Sequence, residues 1–247
     1  MSKTEENIDR AFTYLDNVYK DAVQLGKNIQ NLKDFSEYVE TKNYKEDIVL
    51  QKVLSYVQYV SISELILTLD RLFEFPSDGR HPSPVECDRC GNQIQPKSGK
   101  KIFGQRSFVW HINQLREHST SFNPNERFTS KELDEQLLWI ESEEKNLAMV
   151  ETYRDKWFAH RDKRYFDNPV KLWDDQPLEL EVLESLVDLT KKIVEAHFSK
   201  LKDVAIGWNV EHLSEIKDII YMKEQLLKYS EENIALHKRL RSCLEKI

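Results

Sequence analysis

Leu50-Gln51-Lys52-Val53-Leu54-Ser55-Tyr56-Val57-Gln58-Tyr59-Val60-Ser61-Ile62-Ser63-Glu64-Leu65-Ile66-Leu67-Thr68-Leu69-Asp70-Arg71-Leu72-Phe73 is the most apolar run in the chain. Its reading decides the fold. The β-branched residues at its start suit strands. However, Leu50, Val53, Leu54, Val57, Val60, Leu65, Ile66, Leu69, Leu72 and Phe73 recur at steps of three and four. A strand needs a period of two and stops after a few residues, so length and spacing predict a helix over 45–75. Apolar residues cover so wide a face that this helix is expected at the centre of a bundle, buried on most sides. Pro76 and Gly79 end it.

Outward from this helix the same period recurs. Residues 2–41 carry Ile8, Phe12, Leu15, Tyr19, Ala22 and Val23 on one face, with Ser2 and Glu5 placed as a capping box. A short helix is expected over 104–120. A longer one is expected over 130–165, opened by Thr129 and Glu132 in a second capping box. Two more follow, at about 178–204 and roughly 210–245. In the last, Leu213, Ile220, Leu227 and Ile234 repeat every seven residues, a pattern that packs along a bundle or pairs with a mate. The expected architecture is all-α: one domain over 1–247, a bundle of five to six helices, a loop-rich insertion at 76–103 and a long C-terminal helix within 210–247.

Composition agrees. Only six Gly and seven Pro in 247 residues leave few turns, as long helices require. A net charge of -7 argues against a protein that coats nucleic acid broadly, while a local basic patch can still bind RNA. The first residues are polar and charged, unlike a signal peptide, and no apolar run is as long as a membrane span. A soluble cytoplasmic protein without membrane partners is expected.

The chemistry concentrates in Tyr153-Arg154-Asp155-Lys156-Trp157-Phe158-Ala159-His160-Arg161-Asp162-Lys163-Arg164. Five fixed positive charges and a histidine sit together there in an acidic chain. An arginine neutralises charge developing on phosphoryl oxygens, and a histidine moves a proton near neutral pH. On the expected helix Arg154 falls on the stripe of Leu147, Val150, Trp157 and Phe158. A guanidinium at the edge of an apolar face is partly desolvated and needs a partner. Asp155 or Glu151 could supply it in a purely structural role. His160, six residues on, lies about 120° round an ideal helix from Arg154. One helix therefore does not aim both groups at one spot unless it frays or ends near His160. A second copy across a two-fold axis could bring two Arg–His sets together. Acid at the start of 130–165 and base at its end also suit the helix dipole, which accounts for part of the charge pattern without function.

The segment resembles the signature of the HEPN superfamily: Arg154, the polar Asp155 directly after it, and His160 beyond five intervening residues. The longer string Arg154 to Lys163 is similar to the version in AbiU-type abortive-infection proteins. Ser63 to Phe73 is similar to the helix that precedes it in that group, so the resemblance covers residues 5–75 and 130–205. It implies a compact helical bundle, usually a dimer, and in many members a metal-independent endoribonuclease serving toxin–antitoxin or anti-phage systems. It further implies Arg154 and His160 as the catalytic pair with Asp155 as the accessory polar residue. Residues 76–103 depart from the family pattern.

That insertion holds Cys87-Asp88-Arg89-Cys90-Gly91, with Pro76, Pro82 and Pro84 before it and Pro96 after. The spacing is that of a zinc knuckle. Cys87 and Cys90 supply only half of a tetrahedral site, with Cys243, His81, His111, His118 or a dimer mate available for the rest. The other reading is a surface loop with two reduced thiols. His111 and His118, seven apart, share a helix face and read as ordinary polar surface positions.

The expected function is RNA cleavage by 2′-hydroxyl attack. Arg154, His160 and Asp155 are the catalytic group, and Lys156, Arg161, Lys163 and Arg164 hold the RNA backbone. No cofactor is required for catalysis, and a structural zinc at Cys87 and Cys90 stands as one of two readings of that loop, beside two reduced thiols. RNA, a second copy of the chain and an antitoxin protein are the expected partners. The alternative is a non-catalytic helical dimer that binds a partner protein, a nucleotide or RNA. A third reading makes the Cys87–Cys90 loop the sensor of a zinc-dependent regulator.

Overall fold

In the computed structural model the described residues are 3–73, 107–159, 177–208 and 214–244. All regular structure among them is helical, and the fold is all-α. Eight α-helices follow in order: α1 (Lys3–Val39), α2 (Lys42–Glu46), α3 (Ile48–Phe73), α4 (Phe108–Glu117), α5 (Ser130–Ser142), α6 (Glu144–Tyr153), α7 (Leu180–Lys202) and α8 (Glu215–Leu244). Two 3-10 turns, Ser119–Ser121 and Pro124–Glu126, join α4 to α5, and a π-helical turn, Arg154–Ala159, extends α6. Ser2 and the insertion at 76–103 lie outside the described residues.

The number of helices exceeds the five or six expected because expected helices are divided. The Thr41 side chain caps the short α2 and the Asp47 carboxylate accepts from Leu50 N at 2.8 Å, so α3 starts afresh at Ile48. The helix expected over 130–165 breaks at Glu143, whose φ of -98° and ψ of 11° leave the helical region. No Gly or Pro marks that break. Instead the Glu143 carboxylate is held from both sides, accepting from Ser185 Oγ on α7 at 2.8 Å and from Asn146 Nδ2. The capping box of Thr129 and Glu132 is formed at the start of α5.

The chain divides into two compact units, one of residues 1–25 and 64–208, the other of 26–63 and 209–247. In the first, the end of α3 buries Leu65, Ile66, Leu69 and Leu72 completely. Each such leucine or isoleucine contributes up to about 2–3 kcal/mol by area removed from water. The same unit also buries Leu15 and Ala22 of α1, Ile112 of α4, Ile140 of α5, Val150 of α6 and Ile193 of α7. Helix α7 packs against α5 and α6, which fixes the end of α6 where the basic segment begins. It stops at Asp203, whose left-handed backbone (φ 52°) reverses the chain.

In the second unit Phe35, Leu50, Leu54 and Ile216 form the core, with Tyr38, Tyr44, Val57, Ile219 and Ile220 packed on it. Asn31 is fully buried. It donates to Ser61 Oγ at 3.2 Å and accepts from the Glu215 amide at 2.9 Å, satisfying one of the orphan donors at the start of α8. Lys217 with Asp34 and Lys223 with Asp47 fasten the first turns of α8. Among the described residues no helix is long and apolar enough to cross a membrane.

Candidate active site

Helix α6 ends on Tyr153, which is wholly buried. Burial pushes its phenol up to about 12, against the opposing effect of a hydrogen bond with the Leu178 backbone. Arg154 comes next and opens the π-helical turn, in which backbone bonds close over one residue more than in an α-helix. Its side chain is 28% exposed, at the margin between core and solvent. Three carboxylates surround the guanidinium. Nη1 donates to Asp70 Oδ2 on α3 at 2.9 Å. Nε and Nη2 both lie 2.8 Å from Asp155 Oδ1. Nη2 is 3.5 Å from Glu151 Oε1. Burial alone lowers the arginine's pKa, but the Asp70 and Asp155 charges outweigh it and leave it above its ordinary value. The group is a permanent cation held in a fixed orientation. It can meet an anionic oxygen by exchanging one carboxylate for it.

A second polar cluster lies in the interior of the same unit. His111 of α4 and His197 of α7 are both buried, with ring centroids 5.1 Å apart. His111 stacks on Tyr14 at 4.2 Å. His197 Nε2 is 2.7 Å from Gln136 Oε1, itself on a buried side chain. A carbonyl oxygen only accepts, so His197 carries its proton on Nε2. His197 Nδ1 and His111 Nε2 have no hydrogen-bond partner. Burial holds both rings neutral: it takes His197 down to about 3 and His111 well below 6.5, where proximity to His197 adds to the effect. The placement of His111 corrects the surface position expected for it. Only His118, at the C-terminal cap of α4, is partly exposed. Neutral, enclosed imidazoles of this kind do not shuttle protons near pH 7. An open hollow of about 720 Å³ beside them is lined by Phe128, Glu132, Gln136, Trp139, Lys200 and Asp203 among others, and by none of the described residues of the basic segment.

The family model for AbiU2, of the HEPN group, matches residues 6–210. The chain belongs to the AbiU2 HEPN family. No curated protein and no solved structure matches it. Of the residues expected to form its site, the AbiU2-family chain sets Arg154, Asp155 and Lys156 in succession at the start of the π-helical turn. His160, Arg161, Lys163 and Arg164 lie outside the described residues, as do Cys87 and Cys90. Among the described residues no three His, Cys, Asp or Glu side chains come together as metal ligands.

Three features go beyond the sequence reading. Arg154 was expected to pair with Asp155 or Glu151; it meets both and, in addition, Asp70, which stands 84 positions earlier. The wheel arithmetic that set His160 about 120° from Arg154 assumed a continuous α-helix. The intervening turn is π-helical, so that angle does not carry over. Sequence reasoning also missed the His111–His197–Gln136 cluster. The signal was present: His197 sits in the series Leu186, Thr190, Ile193, His197, Leu201 at steps of three and four, the buried face of α7.

Proposed function

We propose that this AbiU2-family protein is a metal-independent endoribonuclease of HEPN type, acting in abortive infection or a toxin–antitoxin setting. The observation that carries the reading is Arg154, fixed by Asp70 and Asp155 yet still in reach of solvent, at the head of the basic segment. In the proposed step a ribose 2′-oxygen bonds to the adjacent phosphorus and the bond to the 5′-oxygen breaks. His160 takes the 2′-hydroxyl proton as base, or returns one to the departing 5′-oxygen as acid. Arg154 neutralises the charge that builds on the non-bridging oxygens. Asp155 orients Arg154, and Lys156, Arg161, Lys163 and Arg164 hold the flanking phosphates. A 2′,3′-cyclic phosphate and a 5′-hydroxyl result, with no metal in the step. A pair of chains related by a two-fold axis would place two such sets together, and an antitoxin protein would silence them.

The carboxylates around Arg154 favour a second reading, in which the arginine is a structural tie in a non-catalytic module that binds a protein, a nucleotide or RNA. Arg154→Ala separates the two. Loss of RNA cleavage at unchanged helicity supports the ribonuclease. A folded variant that cleaves like the wild type removes Arg154 from the chemistry.

A further inference from the structure

The matched family segment stops at residue 210, and α8 lies wholly beyond it. The first turns of α8 are integral to their unit: Ile216 is buried, Ile219 and Ile220 pack on the core, and Lys223 holds Asp47 at 2.7 Å. From Glu224 the helix changes character. Leu226 and Tyr229 are 69% and 67% exposed, and every residue of 224–235 other than Asn233 lies exposed. A helix this length without packing is marginal on its own, because most helical stability in proteins comes from burying an apolar face.

The exposed residues are ordered. Ile219, Met222, Leu226, Tyr229 and Asn233 recur at alternating steps of three and four, and Leu236 and Leu240 continue the series in sequence. Beyond Lys223 that is the a and d pattern of a coiled coil, with Leu226, Asn233 and Leu240 at a and Tyr229 and Leu236 at d. We propose that α8 beyond Lys223 is a parallel two-stranded coiled coil with a second copy of this chain.

Three features fix that occupant. A single asparagine at an a position specifies two parallel strands in register, because each asparagine then meets its own copy. Asn233 already donates to Tyr229 O of its own helix at 3.1 Å, which leaves its side-chain oxygen for the mate. In the parallel register Glu232 at g falls opposite His237 at the next e. The antiparallel arrangement sets Asn233 against an apolar d residue instead of its own copy. The apolar face also begins where the chain's own core ends, as Ile219 packs inside the unit and Met222, one step on, is 56% exposed. This pairing is independent of the ribonuclease reading and does not use the basic segment.

The test is site-directed cross-linking of the full-length protein with Cys243→Ser as background. Leu226→Cys under mild oxidant is expected to give a covalent dimer whose peptide map joins position 226 to 226. Glu224→Cys, off the seam, is expected to give none. Neither substitution removes a core contact within the single chain, so helicity should be unchanged in both variants. No link at 226, or equal linking at 226 and 224, overturns the proposal. Hydrogen exchange supplies a second readout on the unmodified protein. Amides of residues 224–235 are expected to gain protection as concentration rises, and protection independent of concentration contradicts a self-paired helix.

Discussion

Arg154 at the end of α6 reaches Asp70 on α3 with Nη1 2.9 Å from Oδ2, an ion pair that joins the basic segment to the helix end carrying Leu65, Ile66, Leu69 and Leu72. Asp70 is the more enclosed partner, at 17% exposed, and hydrogen bonds to a charged group are worth about 1.5–3 kcal/mol when sheltered. Asp155 and Glu151 remain on the guanidinium if Asp70 is lost, so the cost of Asp70→Asn should sit at the lower end, about 1–2 kcal/mol. A double-mutant cycle of Asp70→Asn with Arg154→Gln, followed by urea unfolding, should give a coupling of about 1 kcal/mol. Simple additivity would show that the two side chains do not support each other. In the ribonuclease reading, Asp70→Asn should also slow cleavage about tenfold or more, since a loosened arginine meets the phosphate less often in the required orientation.

Thr129 and Glu132 close the start of α5 with reciprocal bonds: Glu132 N to Thr129 Oγ1 at 3.2 Å and Thr129 N to Glu132 Oε2 at 2.6 Å. Thr129→Ala removes one of them and should cost about 1 kcal/mol, while Thr129→Ser keeps the oxygen and should cost little. The urea midpoints of the two variants check this. Equal losses would mean that the hydroxyl is not what holds the helix end.

The buried histidines give the protein an acid sensitivity of known sign. Both are neutral in the folded chain, His197 titrating only near about 3 and His111 well below its ordinary 6.5. The unfolded chain takes up both protons near pH 6.5, so below that pH it binds protons that the folded chain does not. Stability therefore falls as pH drops from about 6.5, by roughly 1.4 kcal/mol per pH unit for each histidine. Above pH 7 neither contributes any slope. Urea midpoints between pH 7.5 and 5 should show this decline, and His197→Gln should remove about half of it. A variant with the wild-type slope would mean that His197 is charged in the folded protein.

What the sequence made legible was local. The steps of three and four through Leu50–Phe73 sufficed for a helix, because burying one contiguous face is what stabilises it. Thr129 and Glu132 announce their cap because both groups lie within one turn. The half-burial of Arg154 followed from its place beside Leu147 and Val150 on one stripe. What stayed hidden depends on distant partners. Nothing near Arg154 points to Asp70, and nothing near Glu143 points to Ser185, whose hydroxyl helps hold the break between α5 and α6. The π-helical turn has no composition signal of its own. The α8 seam was masked by the adjacent Ile220, Leu227 and Ile234 repeat, and the exposure of Leu226 and Tyr229 shows a face that the chain itself leaves unmet.

The cysteine pair at 87 and 90 permits a metal test that is independent of catalysis. If zinc is bound there, elemental analysis of the purified protein should find one zinc per chain, or one per two chains if the site is shared. Its removal by chelator should lower the melting temperature without abolishing RNA cleavage. Loss of cleavage that zinc restores would contradict a metal-free step.

The central claim is tested most directly by incubating the wild type and His160→Ala with transfer RNA and total RNA in EDTA and mapping the ends of the products. The ribonuclease account predicts cleavage by the wild type alone, leaving 2′,3′-cyclic phosphate and 5′-hydroxyl ends. Equal cleavage by both proteins, or wild-type products ending in a 3′-hydroxyl and a 5′-phosphate, would contradict it.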